Sequence, residues 1–120
     1  MKRIALISEH ASPLDALGGV DSGGQNVYVA QVGRHLARSG YHVDVFTRRT
    51  RPELPLVVEV QPEFRVVNVP AGPPTFVRKE ELLAHMPEFT RFVLKFFGSG
   101  SPYDLLHANF WMSGLVAAEI

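Results

Sequence analysis

Two glycine pairs, Gly18-Gly19 and Gly23-Gly24, flank Val20-Asp21-Ser22 and run directly into Gln25-Asn26-Val27-Tyr28-Val29, where an amphipathic helical pattern begins. Ser22 and Gln25 stand three apart, the spacing of a capping box, which places Gly23 and Gly24 in the first helical turn. Backbone N–H groups there lack intrahelical acceptors and carry the positive end of the helix dipole, and without a Cβ a phosphate can approach them closely. The chemistry predicted is anion binding. The plainer reading is that the glycines only punctuate a loop.

Other polar residues fall where strands are expected to end. Glu9 and His10 follow the first apolar run, Arg48, Arg49 and Arg51 follow the second, and His107, Ala108 and Asn109 close the last. In an open parallel sheet, ligands collect beyond the carboxyl ends of the strands, so all three sets face one crevice. His107 is positioned either to hydrogen-bond a ligand hydroxyl or to satisfy neighbouring backbone. The arginines suit bidentate phosphate binding, although a solvated surface is the simpler expectation. Lys79 precedes Glu80-Glu81 at a helix start, within reach of an anionic substrate or simply within a solvated charge run. His10 reads as solvated, and His35 and His42 read as structural or exposed. No histidine pair has metal-ligand spacing, so no metal site is expected.

The elements that must position these residues alternate. Arg3 to Ser8 reads as a buried strand. Gln25 to Ser39 repeats apolar or small residues at Val29, Val32, Gly33, Leu36 and Ala37, which is helical spacing, and Gly40 closes that helix. His42 to Thr47 is a second strand, giving the order of a right-handed parallel crossover. Leu56 to Val60 and Phe64 to Val69 are short β-type runs suited to a hairpin. Pro70-Ala71-Gly72-Pro73-Pro74 holds three prolines in five residues and must be a stiff loop. Lys79 to His85 starts a helix that Pro87 interrupts or restarts, and Phe89, Phe92, Val93, Phe96 and Phe97 then form one apolar face. Tyr103 to His107 reads as another buried strand. Gly114 to Ile120 has the pattern of a helix without a capping residue, so the chain is expected to be a fragment whose open sheet edge favours self-association.

With 120 residues, 46% of them hydrophobic, the chain can bury a core of about one domain. Twelve basic residues balance twelve acidic ones, so no net field draws in nucleic acid or an anionic membrane. Cysteine is absent, which excludes disulfides and thiolate metal sites and fits a reducing compartment, by default the cytoplasm. No run reaches the roughly 18 apolar residues of a membrane span. Two phosphate-binding fingerprints fail on spacing. No G-x-G-x-x-G follows the first strand, and no Lys-Ser or Lys-Thr pair follows the glycines.

Taken together, Gly18 through Val29, Thr47-Arg48-Arg49, Val69-Pro70-Ala71-Gly72-Pro73, Lys79-Glu80-Glu81-Leu82 and His107-Ala108-Asn109-Phe110-Trp111-Met112-Ser113-Gly114 resemble the N-terminal domain of GT-B retaining glycosyltransferases. The pattern is most similar to the branch holding sucrose-phosphate synthase, sucrose synthase and the inositol-phosphate N-acetylglucosaminyltransferases. The resemblance implies an α/β fold: a Rossmann-like parallel sheet flanked by helices. Residues 1–120 would be part of the acceptor-side domain, with the family's second, nucleotide-binding domain outside them. It implies transfer of a sugar from a nucleotide sugar, most often a UDP-sugar, to a sugar or sugar-phosphate hydroxyl with retention, and no separate cofactor. By the same resemblance Gly23 and Gly24 face the donor diphosphate, Asn26 and Lys79 hold the acceptor, and His107 serves catalysis. Asn109 and Phe110 also occupy acceptor positions, but Phe110 stands where relatives often carry tyrosine and Asn109 where histidine is frequent. The isolated fragment is expected to be inactive. The competing readings are a non-catalytic α/β module for phosphosugars or nucleotides, and an inert structural domain.

Overall fold

The computed structural model describes residues 2–8, 24–75, 77, 79–98 and 103–108. At its centre is β1 (Arg3–Ile7), whose apolar run Ile4-Ala5-Leu6-Ile7 is buried because it has a strand on each edge and packing on each face. Its pleat sends Ile4 and Leu6 to one face and Ala5 and Ile7 to the other. β2 (His42–Arg48) runs parallel to it on one side, with Ile4 opposite Val43 and Ile7 opposite Phe46. β5 (Leu105–Ala108) runs parallel on the other, with Leu6 opposite His107. β4 (Phe64–Val69) pairs parallel with β2. The expected hairpin is present, since β3 (Val57–Gln61) lies antiparallel on β4. The order across the sheet is β3-β4-β2-β1-β5.

One face is covered by α1 (Gly24–Arg38), which buries Val29 against Ile4, Leu6, Val43, Val45, Phe64 and Val66. The helix comes so close that a Cβ on Gly33 would lie 2.5 Å from the Phe64 ring. Gly40 ends it with φ of 96°, and the N–H of Tyr41 reaches back to Leu36 O at 3.1 Å.

The opposite face carries a 3₁₀ segment, Lys79–His85, and then α2 (Met86–Phe97). Pro87 therefore restarts the helix: it sits in the first turn, where its missing N–H costs nothing. Phe89 and Val93 are fully buried against Ile7, Phe46, Val67 and Val69. Phe96, Phe97 and Tyr103 set their rings edge-on or tilted around Phe46 with centroids 5.5, 5.7 and 6.0 Å away.

The last strand departs from expectation. Rather than buried, β5 alternates between exposed and half-buried positions, and Leu105 is 57% exposed. Among the described residues only β1 pairs with it. A four-residue apolar strand reads the same in sequence at the centre or the edge of a sheet.

At the amino end of the strands lies a polar cluster that the sequence reading did not isolate. Asp44, fully buried, accepts two hydrogen bonds from Arg65, at 2.7 and 2.8 Å, and one from the Tyr103 hydroxyl at 2.5 Å. His42 places Nε2 3.1 Å from Asp44 and Nδ1 2.8 Å from Glu63. Burial by itself would push the Asp44 carboxyl up, but the bonds from Arg65 and Tyr103 and the charges of Arg65 and His42 hold it below the usual 3.8. Burial and the neighbouring carboxylate push the Tyr103 phenol well above 10.0.

Candidate functional site

The carboxyl ends of β1, β2, β4 and β5 share one rim of the sheet, because those four strands are parallel. Pairing runs one residue past two of them: Ser8 N–H donates to Phe46 O at 2.9 Å and Arg49 N–H to Val69 O at 2.8 Å. α1 opens at the same rim. Its last turn is tied to the start of β2 through Tyr41, and fifteen residues of helix rise about 22 Å. The seven residues of β2 span about 23 Å, so the two elements are of similar length and α1 starts toward the carboxyl end of β2. The first turn of α1 contains no acidic residue, leaving its positive pole uncompensated from within the helix.

Gly24 is the first described residue of α1, inside the turn where the capping pattern places it, and Asn26 lies in the same turn. Lys79 opens the 3₁₀ segment. The side chains of Asn26 and Lys79, and the whole of Glu9, His10, Gly23, Asn109 and Phe110, fall outside the described residues, as does the helical pattern of 114–120.

His107 is described, and it is exposed rather than buried. It lines an open cavity of about 230 Å³ between α1 and β5 with Tyr28, Val29, Val32, Leu6 and Leu105. Histidine and the half-exposed Tyr28 supply the polar groups of an otherwise apolar wall. Tyr28 was legible only as part of the glycine-rich stretch, since nothing in sequence showed that it would line the same cavity as His107.

The arginine cluster separates into unlike parts. Arg48 is not solvated but 3% exposed, and its guanidinium donates to the carbonyls of Ala71, at 3.1 Å, Pro73, at 2.7 Å, and Thr75. It props the proline loop that leads to Lys79, and burial lowers its pKa. Three prolines leave that loop short of N–H donors, and its carbonyls take Arg48 instead. Arg51 is exposed, 3.9 Å from Glu53. Arg49 is half-buried, with its Nε screened from solvent and without a hydrogen-bond acceptor among the described residues. Among the described residues no group of His, Asp and Glu suits a metal ion, and no helix is long and apolar enough to cross a membrane.

Comparison with known proteins bears on this rim. A family model described as a glycosyl transferase 4-like domain matches residues 23–120. A D-inositol 3-phosphate glycosyltransferase of Corynebacterium efficiens is 49% identical over 115 residues, which is 95% of this chain and 27% of that protein. One from Geodermatophilus obscurus is 47% identical over 96% of this chain and 26% of its own length. Among solved structures, sucrose-phosphate synthase from Thermosynechococcus elongatus superposes with a TM-score of 0.88 at 39% identity, covering 99% of this chain and 30% of that one. The catalytic domain of starch synthase IV from Arabidopsis thaliana, with a TM-score of 0.62 and 18% identity over 98% of this chain and 29% of that one, shares the fold. The chain thus spans about a quarter of the curated relatives' length.

Proposed function

The chain belongs to the glycosyl transferase 4-like family, and on that footing we propose that the protein carrying it moves a sugar from a nucleotide donor to the hydroxyl of a phosphorylated polyol or sugar. The observation that carries this reading is the opening of α1 at the carboxyl rim of the sheet, with glycine as its first residue and no acidic side chain in its first turn. Free N–H groups and a positive helix pole suit a diphosphate.

In the reaction the acceptor oxygen bonds to the anomeric carbon as the bond from that carbon to the diphosphate oxygen breaks. The electron pair departs on the diphosphate, and the acceptor proton leaves with it or to solvent. Charge develops on the leaving group, so donors fixed in advance contribute most. Gly23 and Gly24 take the diphosphate and Asn26 and Lys79 the acceptor, with Asn109 and Phe110 flanking it. His107, open to the cavity beside Tyr28, hydrogen-bonds a sugar hydroxyl and holds it for attack. UDP is the nucleotide favoured by the resemblance, and the lack of cysteine supports a cytoplasmic setting. The names of the similar proteins, D-inositol 3-phosphate glycosyltransferase and sucrose-phosphate synthase, support a phosphate on the acceptor side.

The test is to assay the protein as encoded with UDP-, ADP- and GDP-sugars against inositol phosphates and sugar phosphates, following nucleotide release and the anomeric configuration of the product. Transfer with retention is expected. Tight binding of the same ligands without turnover would favour the non-catalytic module, and no binding at all an inert domain.

A further inference from the structure

We infer that Glu88 is a positioning residue for the acceptor: by accepting the N–H of Gly72 it closes residues 72–88 into a ring that fixes the backbone through Lys79 before substrate arrives. The inference rests on the acceptor role proposed above for Lys79 and adds what sets that residue in place.

The loop after β4 cannot hold its own shape. Residues 70–75 include three prolines, so three N–H groups serve six carbonyls. Those of Ala71 and Thr75 turn back on the nearby carbonyls of Val69, at 3.0 Å, and Pro73, at 2.8 Å. Only the N–H of Gly72 reaches a distant element, donating to Glu88 Oε1 on α2 at 2.5 Å. From the other side Arg48 donates to the carbonyls of Ala71, Pro73 and Thr75. The loop is thus held on its acceptors by β2 and on its one outward donor by α2.

A further contact closes the ring. Gly72 has φ of 70°, and a Cβ there would lie 2.6 Å from Nδ1 of His85, so no side chain fits between the loop and the imidazole. His85 ends the 3₁₀ segment that Lys79 opens. The Gly72–Glu88 bond spans 16 residues, and Lys79 stands near the middle of that span. On either side of Lys79 the chain is anchored in the core beneath α2, through Val77 and through Leu82, which is 2% exposed. A cation whose backbone is already set gives up less freedom on meeting an anionic acceptor.

Glu88 also stands in the first turn of α2, where its charge offsets the amino pole of that helix. That task needs a charge, whereas the ring needs only an acceptor oxygen, so glutamine separates the two. Glu88 is exposed, and its removal opens the ring without opening the core.

The experiment compares Glu88→Ala and Glu88→Gln, each alone and combined with Lys79→Ala, in the protein as encoded, with inositol 3-phosphate as the acceptor in kinetics and in calorimetry. Loss of the bond is expected to raise the acceptor KM and weaken calorimetric binding about three- to tenfold. The donor KM and kcat should stay unchanged, and glutamine should restore most of the loss. With Lys79→Ala already present, Glu88→Ala should add nothing, because its effect runs through that lysine. Amide exchange at Gly72 should quicken in the alanine variant. An undiminished effect without Lys79, a glutamine variant as weak as alanine, or unchanged acceptor binding despite faster exchange at Gly72 would each overturn the inference alone. A wild type that neither binds nor glycosylates inositol 3-phosphate would instead overturn the acceptor proposed above, and the positioning role with it.

Discussion

Arg65 holds Asp44 in a fork, Nε on one carboxylate oxygen at 2.7 Å and Nη2 on the other at 2.8 Å, across two neighbouring parallel strands. The carboxylate is fully buried and the guanidinium reaches partly to solvent. Removing the arginine strips the buried carboxylate of two charge-assisted hydrogen bonds and leaves it to Tyr103 and His42. Arg65→Met is therefore expected to destabilise the fold by about 3 kcal/mol, at the low end for a broken buried pair because one partner is wetted. Urea unfolding of the variant and the parent measures it.

The same carboxylate makes stability depend on acid. Its folded pKa lies below 3.8, so the unfolded chain binds the proton more readily. The contribution is complete above that value and disappears as pH falls through the folded value. Melting curves from pH 6 down to pH 2 should show a loss that Asp44→Asn, already lacking the charge, does not share.

Tyr103 gives the opposite limb. Its phenol is raised above 10.0 in the folded state, so its contribution is whole below that value and is lost as pH climbs beyond it. Tyr103→Phe should cost about 1.5 to 3 kcal/mol at neutral pH, the range of a hydrogen bond to a charged group. The gap between variant and parent should narrow above pH 10.

Arg48 acts on the proline loop. Arg48→Met keeps the buried stem and abandons the carbonyls of Ala71, Pro73 and Thr75. A stability loss of about 2 to 3 kcal/mol is expected, together with faster proteolysis within residues 71–75. Unchanged cleavage there would show that the loop stands without its prop.

Gly33 tests the fit of α1. Alanine in a helix normally stabilises relative to glycine by about 1 kcal/mol, yet here a Cβ would sit 2.5 Å from the ring of Phe64. Overpacking should win, and Gly33→Ala should lose about 1 to 2 kcal/mol. Adding Phe64→Leu should recover part of it, since the pair shares one contact.

The central elements were legible because each had an unambiguous period. Ile4 to Ile7 could only be a buried strand, and Val29, Gly33 and Leu36 mark one face of a helix. α1 is helical from Gly24 on, inside the turn that Ser22 and Gln25 mark. What sequence withheld was lateral placement. The four residues of β5 carry no sign of which edge they occupy, so the exposure of His107 was not readable. Asp44 lies within an apolar run and was passed over, since its partners Arg65 and Tyr103 stand 21 and 59 residues away, beyond any local pattern. Arg48 and Arg49 look alike as neighbours, and only the pleat divides them.

Glu88, in the first turn of α2, accepts the N–H of Gly72 at 2.5 Å. That carboxylate offsets the amino pole of its own helix, while the first turn of α1 itself holds no acidic residue. Of the two described helices, only α2 answers its amino pole with a carboxylate from its own first turn. On the function proposed above, a donor carrying its phosphates at one end is expected to turn that end toward α1, which gives the substrate a heading along the crevice.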